Sequence, residues 1–433
     1  MGLVSAIYTS VNGLNVTGTG LSVIGNNIAN TNTVGFKGSR TLFNDVLTSA
    51  LDEVGNGVSI NEIQTQFTQG PLEPTDNPLD FAIDGSGFFI VKDANNAEYY
   101  TRAGNFSLDK DYFIANPNGL KLQAYPADSS GNITQTLGDI QIQPLNAEGV
   151  PVMNAQATST ATIQLNLNAS DDIPTTAWSL SPLNGPASGS YNYSNTMMVY
   201  DSSGGTHPVE IFFRKTSSTP NVGTTWDAHV VWNSMRTSNN YQEQIISNLT
   251  FDTSGALTSP TVPTSVNLTW GADDWDGDLV TPPTTPAAQA VAIDFNNSTQ
   301  YASPHSTVFQ SIDGYPEGGL VGFRLAQDGM LYGKYSNGQE RSVARLVLAK
   351  FNAPTELNKI GKNLFAESSA SGQRIEATPN TKGAGKVFAN SLEASNIDMA
   401  EEFVKMITIQ RAFQANSVVM STTDEMLTKL VNI

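Results

Sequence analysis

The side chains able to do chemistry are few. The chain holds three histidines, His207, His229 and His305, and no cysteine. A zinc site needs several imidazole or thiolate ligands at short spacing, as in H-E-x-x-H on one helix face. None of the three histidines sits in such a spacing, so they read as satisfied surface or turn residues. Without cysteine there are no disulfides, thiolate metal sites or thiol nucleophile. Ser86 lies between Gly85 and Gly87 without the G-x-S-x-G frame and reads as a turn before a strand. Gly383-Ala384-Gly385-Lys386 lacks both the glycine spacing and the Ser/Thr of a P-loop. One ligand-like cluster remains, the acidic run 273–278. There the alternating carboxylates Asp274, Asp276 and Asp278 can supply the hard oxygens Ca²⁺ prefers. Its glycine is misplaced for an EF-hand and residue 285 is Thr, so a solvated loop is the favoured reading. No acid/base pair or nucleophile is assembled; the expectation is a non-enzyme without a cofactor.

Composition points the same way. The 433 residues include 40 acidic and 22 basic side chains, a formal net charge of −18. Nucleic acids and anionic membranes are bound mainly by clustered cations, so neither is expected as a partner. Only 14% of residues are charged, against ~25% in a typical soluble domain. Ser, Thr, Asn, Gln and Gly make up the polar surface instead. No apolar run approaches the ~18 residues of a membrane span. The N-terminus also lacks the basic, then apolar, pattern of a secretory signal, so any export uses another route.

The elements that would position anything lie at the two ends. No charged residue precedes Lys37. Within that stretch Val4, Ile7, Val11, Leu14, Leu21 and Ile28 follow a three-four rhythm, with Gly18 and Gly25 in the intervening slots. This predicts a helix with a coiled-coil-like stripe. A helix uncharged on every face is one surrounded by protein. At the other end Met399, Phe403, Met406, Phe413, Met420, Leu427 and Val431 form a second seam, interrupted by Gln410, Ser417 and Asp424. Asn396 is the expected N-cap, and Asp398, Glu401 and Glu402 sit where a helix dipole favours acids. Ordering ~30 residues costs on the order of 30–60 kcal/mol of backbone entropy. Eight buried apolar side chains return at most ~10–25 kcal/mol. The termini are therefore expected to order against partners; the alternative is a pair of helices packed on the chain's own globular core, which leaves the charge-free N-terminal face unexplained.

Between the ends the period becomes two. Strand patterns fall at 79–84, 88–92, 99–102, 105–108 and 120–125, and again at 320–325, 331–335 and 343–351, with Asn-Gly or Asp-Gly turns among them. Further strands at 163–167, 197–200, 209–214, 226–232 and 266–270 stand among Ser/Thr/Pro/Gly-rich connections. The expected fold is mixed and mainly β, with nested β domains between terminal helices that form a coiled-coil-like terminal domain. Its parts are a terminal helical domain (1–30 and 396–433), linker or strap segments (31–78 and 366–395), a middle β domain (79–155 and 306–365) and an inserted outer β domain (156–305).

Two motifs carry a family resemblance. The run from Leu21 through Gly25-Asn26-Asn27-Ile28-Ala29-Asn30 to Gly35-Phe36-Lys37 resembles the N-terminal signature of bacterial flagellar axial proteins, the rod and hook subunits. Leu392-Glu393-Ala394-Ser395-Asn396 and Gln410-Arg411-Ala412-Phe413 resemble the C-terminal motif of that family. The segments Val199-Tyr200-Asp201 to His207 and Asp313-Gly314-Tyr315-Pro316 are similar to the outer domain of its hook members; residues 216–305 match nothing recognised. The resemblance implies a self-assembling, flexible helical tube acting as a universal joint between rod and filament. It also implies flagellar type III export to the extracellular hook without a cleaved signal peptide. The implied partners are other copies of the chain, the flagellar rod, the hook cap, hook–filament junction proteins and the export apparatus. The two apolar seams would be assembly interfaces. Whether the Thr/Asn-rich face of the first helix packs on protein or lines the channel stays open. A distal rod subunit and, outside the family, a β-rich adhesin are the alternative readings. Hook proteins that cross-link through a cysteine and a lysine have no counterpart here, because cysteine is absent.

Overall fold

The computed structural model describes residues 2–46, 57–128, 131–143, 145, 149–219, 223–234, 240–270 and 287–431. The acidic run with Asp274, Asp276 and Asp278 lies outside the described residues. Two helices bracket a chain of short strands: α1, Gly2–Ala29, and α2, Met399–Val431. The chain divides into two compact units, one built from Met1–Pro151, Val321–Lys334 and Glu340–Ile433, the other from Val152–Leu320 with Tyr335–Gln339.

The second unit is a β-sandwich. Tyr193–Tyr200, Thr206–Thr219, Gly223–Asn233, Tyr241–Phe251 and Leu257–Ser259 form an antiparallel sheet in sequence order. In the other sheet Thr160–Asn168 pairs with Gln289–Asp294, Thr299–Tyr301 and Ser306–Ile312. Successive side chains of a strand alternate faces. Val209, Ile211 and Phe213 thus share one side with Trp226, Ala228 and Val230, and close a dry core against Ile163, Leu165 and Leu167. This unit is wider than the insert read from the sequence at 156–305. Ser306–Ile312 lies antiparallel on Thr160–Asn168, a pairing across some 150 residues that local patterning cannot see. The unmatched stretch holds three of the five strands of the first sheet.

In the first unit the sheet order runs Met330–Tyr335, Glu340–Leu346, Lys121–Pro126, Phe88–Lys92, Glu98–Thr101, Leu364–Ala366 and Asn358–Gly361. Phe88, Tyr100, Phe351 and Phe365 fill its core with edge-to-face contacts, Phe88–Phe365 at 5.9 Å and Tyr100–Phe351 at 4.8 Å. The segments read as linkers hold strands as well. Ser39–Asp45 and Val58–Thr65 form a hairpin, and Leu72–Pro74 pairs with Ser391–Glu393.

The two helices fold on each other within the single chain, which departs from the expectation that they order only against partners. Their register is antiparallel in seven-residue steps: Asn27 meets Glu402, Gly20 meets Ile409 and Gly13 meets Asn416. The contact stripe on α1 is Ser10, Gly13, Gly20, Ile24 and Asn27, all buried. It lies beside the expected stripe, whose Ile7, Val11, Leu14, Leu21 and Ile28 are only half-buried. Glycine sets this choice by letting the backbones approach. A Cβ at Gly13 would lie 2.6 Å from the Asn416 amide nitrogen, and one at Gly20 would lie 3.1 Å from Ile409, whereas at Gly18 and Gly25 it meets nothing within 4 Å. On α2 the expected seam is also displaced. Met406 and Leu427 are half-buried, but Met399, Phe403, Phe413 and Met420 are exposed. Val4 and Val431 lie on α1 and α2.

Two opposite outcomes are expected for glycine substitutions in the isolated chain. Gly18→Ala and Gly25→Ala, in open space, raise helix stability by roughly 0.5–1 kcal/mol each. Gly20→Leu separates α1 from α2 and lowers it. Urea unfolding followed by circular dichroism distinguishes them; equal effects at Gly18 and Gly20 would remove the glycine-seam assignment.

Candidate functional site: where the two chain ends meet

Glu393 is fully buried, and everything around it comes from the far end of the sequence. Lys37 donates from Nζ to Glu393 Oε1 at 2.6 Å and to the Thr68 carbonyl at 2.7 Å. Arg102 reaches Glu393 Oε2 at 3.3 Å and the Gly85 carbonyl at 2.8 Å. The Gly70 amide donates to Glu393 Oε1 at 3.0 Å, and the Gly35 amide donates to the Glu393 carbonyl at 2.7 Å. Gly35 has φ +67°, and a Cβ there would strike the Ala103 amide nitrogen at 2.4 Å. A Cβ at Gly70 would strike the Ala394 carbonyl oxygen at 2.1 Å. Burial pushes the Lys37 ammonium and the Arg102 guanidinium below their ordinary pKa values, with Glu393 opposing the shift in each case.

The neighbouring motif residues extend this junction. Asn396 does not cap α2. Its Oδ1 accepts from the Gly38 amide at 2.9 Å, and its Nδ2 donates to the Gln66 carbonyl at 2.9 Å and to Thr68 Oγ1 at 2.8 Å. Asp398 is the cap, accepting from the Ala400 amide at 2.8 Å. Asn396 instead joins the two ends, two residues before the cap. Asn27 is buried, bonded twice to Ser39 and at 3.0 Å to Glu402, which Lys405 also contacts. Asn30 bonds back to Asn26. Ala394 pairs through its amide with the Pro71 carbonyl, and Ser395 is buried beside them. Phe36 is half-buried next to Lys37. Gly25, Asn26, Gln410 and Arg411 face outward, and none of them touches the junction. Arg102 was missed in the sequence, and Glu402 was read there only as an acid at the helix N-terminus. The available signal was the charge pattern: Lys37 ends a 36-residue uncharged stretch, and a cation there without a counter-ion is costly.

Each histidine has a carboxylate partner, but two of them are buried rather than at the surface. His207 is 2.6 Å from Asp201 and stacked on Trp270 at 3.8 Å. His229 is 2.5 Å from Glu243 and stacked on Trp178 at 3.8 Å. His305 is 2.6 Å from Asp171 and stacked on Tyr193 at 4.8 Å. A carboxylate and an aromatic face together make burial tolerable. Gly383-Ala384-Gly385-Lys386 leads into the strand Lys386–Ala389 rather than a helix, so no phosphate cradle forms. Among the described residues no group of three or more His, Cys, Asp or Glu side chains is arranged to hold a metal. No described helix is long and apolar enough to cross a membrane.

This junction and the nested sandwich coincide with four consecutive family models. Residues 7–37 match the flagella basal body rod protein model, and 82–163 the flagellar hook protein FlgE/F/G D1 domain. Residues 166–315 match the flagellar basal body protein FlaE D2 domain, and 389–433 the flagellar basal body rod FlgEFG protein C-terminal model. The chain is thus a flagellar axial protein of the rod-and-hook class. Among its relatives, the flagellar hook protein FlgE of Salmonella typhimurium is 34% identical over 98% of each chain. That of Escherichia coli K12 is 33% identical over 99% of this chain and all of the other. That of Borreliella burgdorferi is 32% identical over the whole of both. The chain belongs to the flagellar hook protein family and is a structural subunit of the hook. The crystal structure of the Helicobacter pylori hook protein FlgE2 shares the fold, with a TM-score of 0.50 at 16% identity over 74% of this chain and all of that one.

Removing one member of a buried ion cluster leaves its partners uncompensated and typically costs about 3–5 kcal/mol. Glu393→Gln is expected to lose that much in urea denaturation. Hydrogen exchange should speed up at 35–38, 68–70 and 391–396 while the sandwich Val152–Leu320 stays protected. Unchanged protection at those segments would show that the cluster does not hold the ends together.

Proposed function

We propose that the chain polymerises into a flexible helical tube through its terminal helices, with the sandwich unit on the tube's outer surface, and that the tube acts as a universal joint carrying torque from rod to filament. The observation that carries the assembly reading is the number of large apolar side chains that α2 leaves exposed along its length. Met399, Phe403, Val404, Ile407, Phe413, Val418, Val419, Met420 and Met426 are all at least 40% exposed. Exposed apolar side chains in such number on one helix mark a surface that packs against protein. The half-buried stripe Ile7, Val11, Leu14, Leu21 and Ile28 with the open glycines 18 and 25, together with Val4 on the same register, is the complementary surface on α1. The two surfaces differ, and a heterologous contact of that kind propagates into rings or helices rather than closing a dimer.

The mechanics follow from composition. Interdigitated helices resist sliding and would hold the twist. The weakly charged Ser/Thr/Asn surface of the sandwich unit offers no deep apolar anchor, so outer contacts can shift register as the tube bends. The chain would serve no catalytic role. It would reach the extracellular hook through the flagellar type III export apparatus, and would meet the rod, the hook cap and the hook–filament junction proteins at the ends of the tube.

Concentrated under salting-out conditions, the purified chain is expected to form curved tubes in electron micrographs. Ile7→Asp, Leu14→Asp or Phe413→Asp should each abolish tubes while the circular dichroism of the β units is retained, since a buried unpaired carboxylate costs several kcal/mol per subunit. Normal tubes from these variants would overturn the interface assignment. Straight, rigid tubes would move the assignment to a rod component.

A further inference from the structure

A cavity of about 230 Å³ opens beside the junction, between the end of α1 and the hairpin Asn358–Gly361/Leu364–Ala366. Lys37 is part of its wall, but the Lys37 ammonium is already committed to Glu393 and Thr68. Two other lysines border it, Lys359 and Lys362, with the amides of Asn26 and Asn363. Lys359 Nζ is held at 2.7 Å from Ser39 Oγ and 3.4 Å from the Lys37 carbonyl, 5.7 Å above the Phe36 ring. These partners are neutral, and desolvation pulls the Lys359 ammonium below its ordinary pKa with no carboxylate to oppose it. Lys362 and Asn363 form the hairpin tip with φ +54° and +59°, the left-handed pair of a tight two-residue turn. The turn fixes Lys362 at the rim. Among the described residues neither lysine has an ion-pair partner.

Lys359 and Lys362 stand out because they border one cavity together, in a chain with net charge −18. Acidic groups are in surplus elsewhere: from Arg236 to Arg324 the sequence has nine carboxylates and no Lys or Arg between them. We propose that the Lys359/Lys362 cavity is a receptor for a carboxylate side chain of a second copy of this chain. It would add an electrostatic contact in the assembled tube, separate from the apolar helix faces. Charge complementarity selects this occupant: the chain offers an excess of carboxylates, and the cavity offers two ammonium groups with amide donors at its wall. The inference rests on the polymer reading above, and its test separates the two.

The measurement is seeded elongation. Sheared wild-type tubes are the seeds, full-length chains are added, and growth is followed by light scattering across a series of NaCl concentrations. Exposed ion pairs contribute ~0.2–1 kcal/mol each and are screened by salt. Lys359→Gln with Lys362→Gln should therefore slow elongation roughly 5- to 10-fold at low salt and flatten the salt dependence, with the circular dichroism of the monomer retained, and Lys362→Gln alone, at a side chain with no bond in the monomer to lose, should shift both in the same direction. Lys359→Arg with Lys362→Arg should restore most of the rate. In tubes of mixed light and ¹⁵N-labelled chains, carbodiimide should couple Lys359 or Lys362 to an Asp or Glu of the other isotopic copy. Wild-type elongation and salt response in the Gln variant would overturn the receptor and leave the polymer standing, as would an Arg variant as slow as the Gln variant. Failure of the wild-type chain to form tubes would overturn the polymer reading and this inference with it.

Discussion

A single buried carboxylate organises the first unit. Glu393 receives Lys37, Arg102 and the Gly70 amide, and its own carbonyl accepts the Gly35 amide. Three charges in a site that excludes water are tolerable only if every member is paired and bonded. That condition fixes four chain segments at once: the exit from α1, the strand-like turn at 68–70, the end of Glu98–Thr101 and the entry to α2. The close approaches at Gly35 and Gly70 are consequences, since a side chain at either position would hold the backbones apart.

From this junction the helices leave together. Asn27 and Glu402 continue the polar contact one turn on, and Gly20 and Gly13 then allow α2 to lie close. Small and polar residues make much of the contact between the helices, with Ile24 and Ile409 among them, while many large apolar residues of α2 are exposed. A monomer that satisfied its own apolar seams would have nothing left with which to polymerise. The division of faces follows from backbone distance: glycine permits the near contact that leucine does not.

The sandwich unit is organised by different physics. Its core is apolar, with Trp226 and Phe213 fully buried, and each of its three histidines lies beside a carboxylate and a stacked ring. None of these groups is arranged for reaction.

The sequence alone determined the class of the molecule. The uncharged, three-four-spaced N-terminus, the matching C-terminal seam and the period-two middle are local signals, because helix and strand periods are read over ten or so residues. The two end motifs were equally legible. Tertiary structure decided what local patterns cannot carry. It set which stripe of α1 meets α2, a one-residue rotation governed by Gly13 and Gly20 rather than by Leu14 and Leu21. It moved Asn396 from helix cap to junction, placed Arg102 against Glu393 across 291 residues, and paired Ser306–Ile312 with Thr160–Asn168. Each depends on contacts between distant segments, whose partners are chosen by packing distance and charge compensation after the local elements have formed.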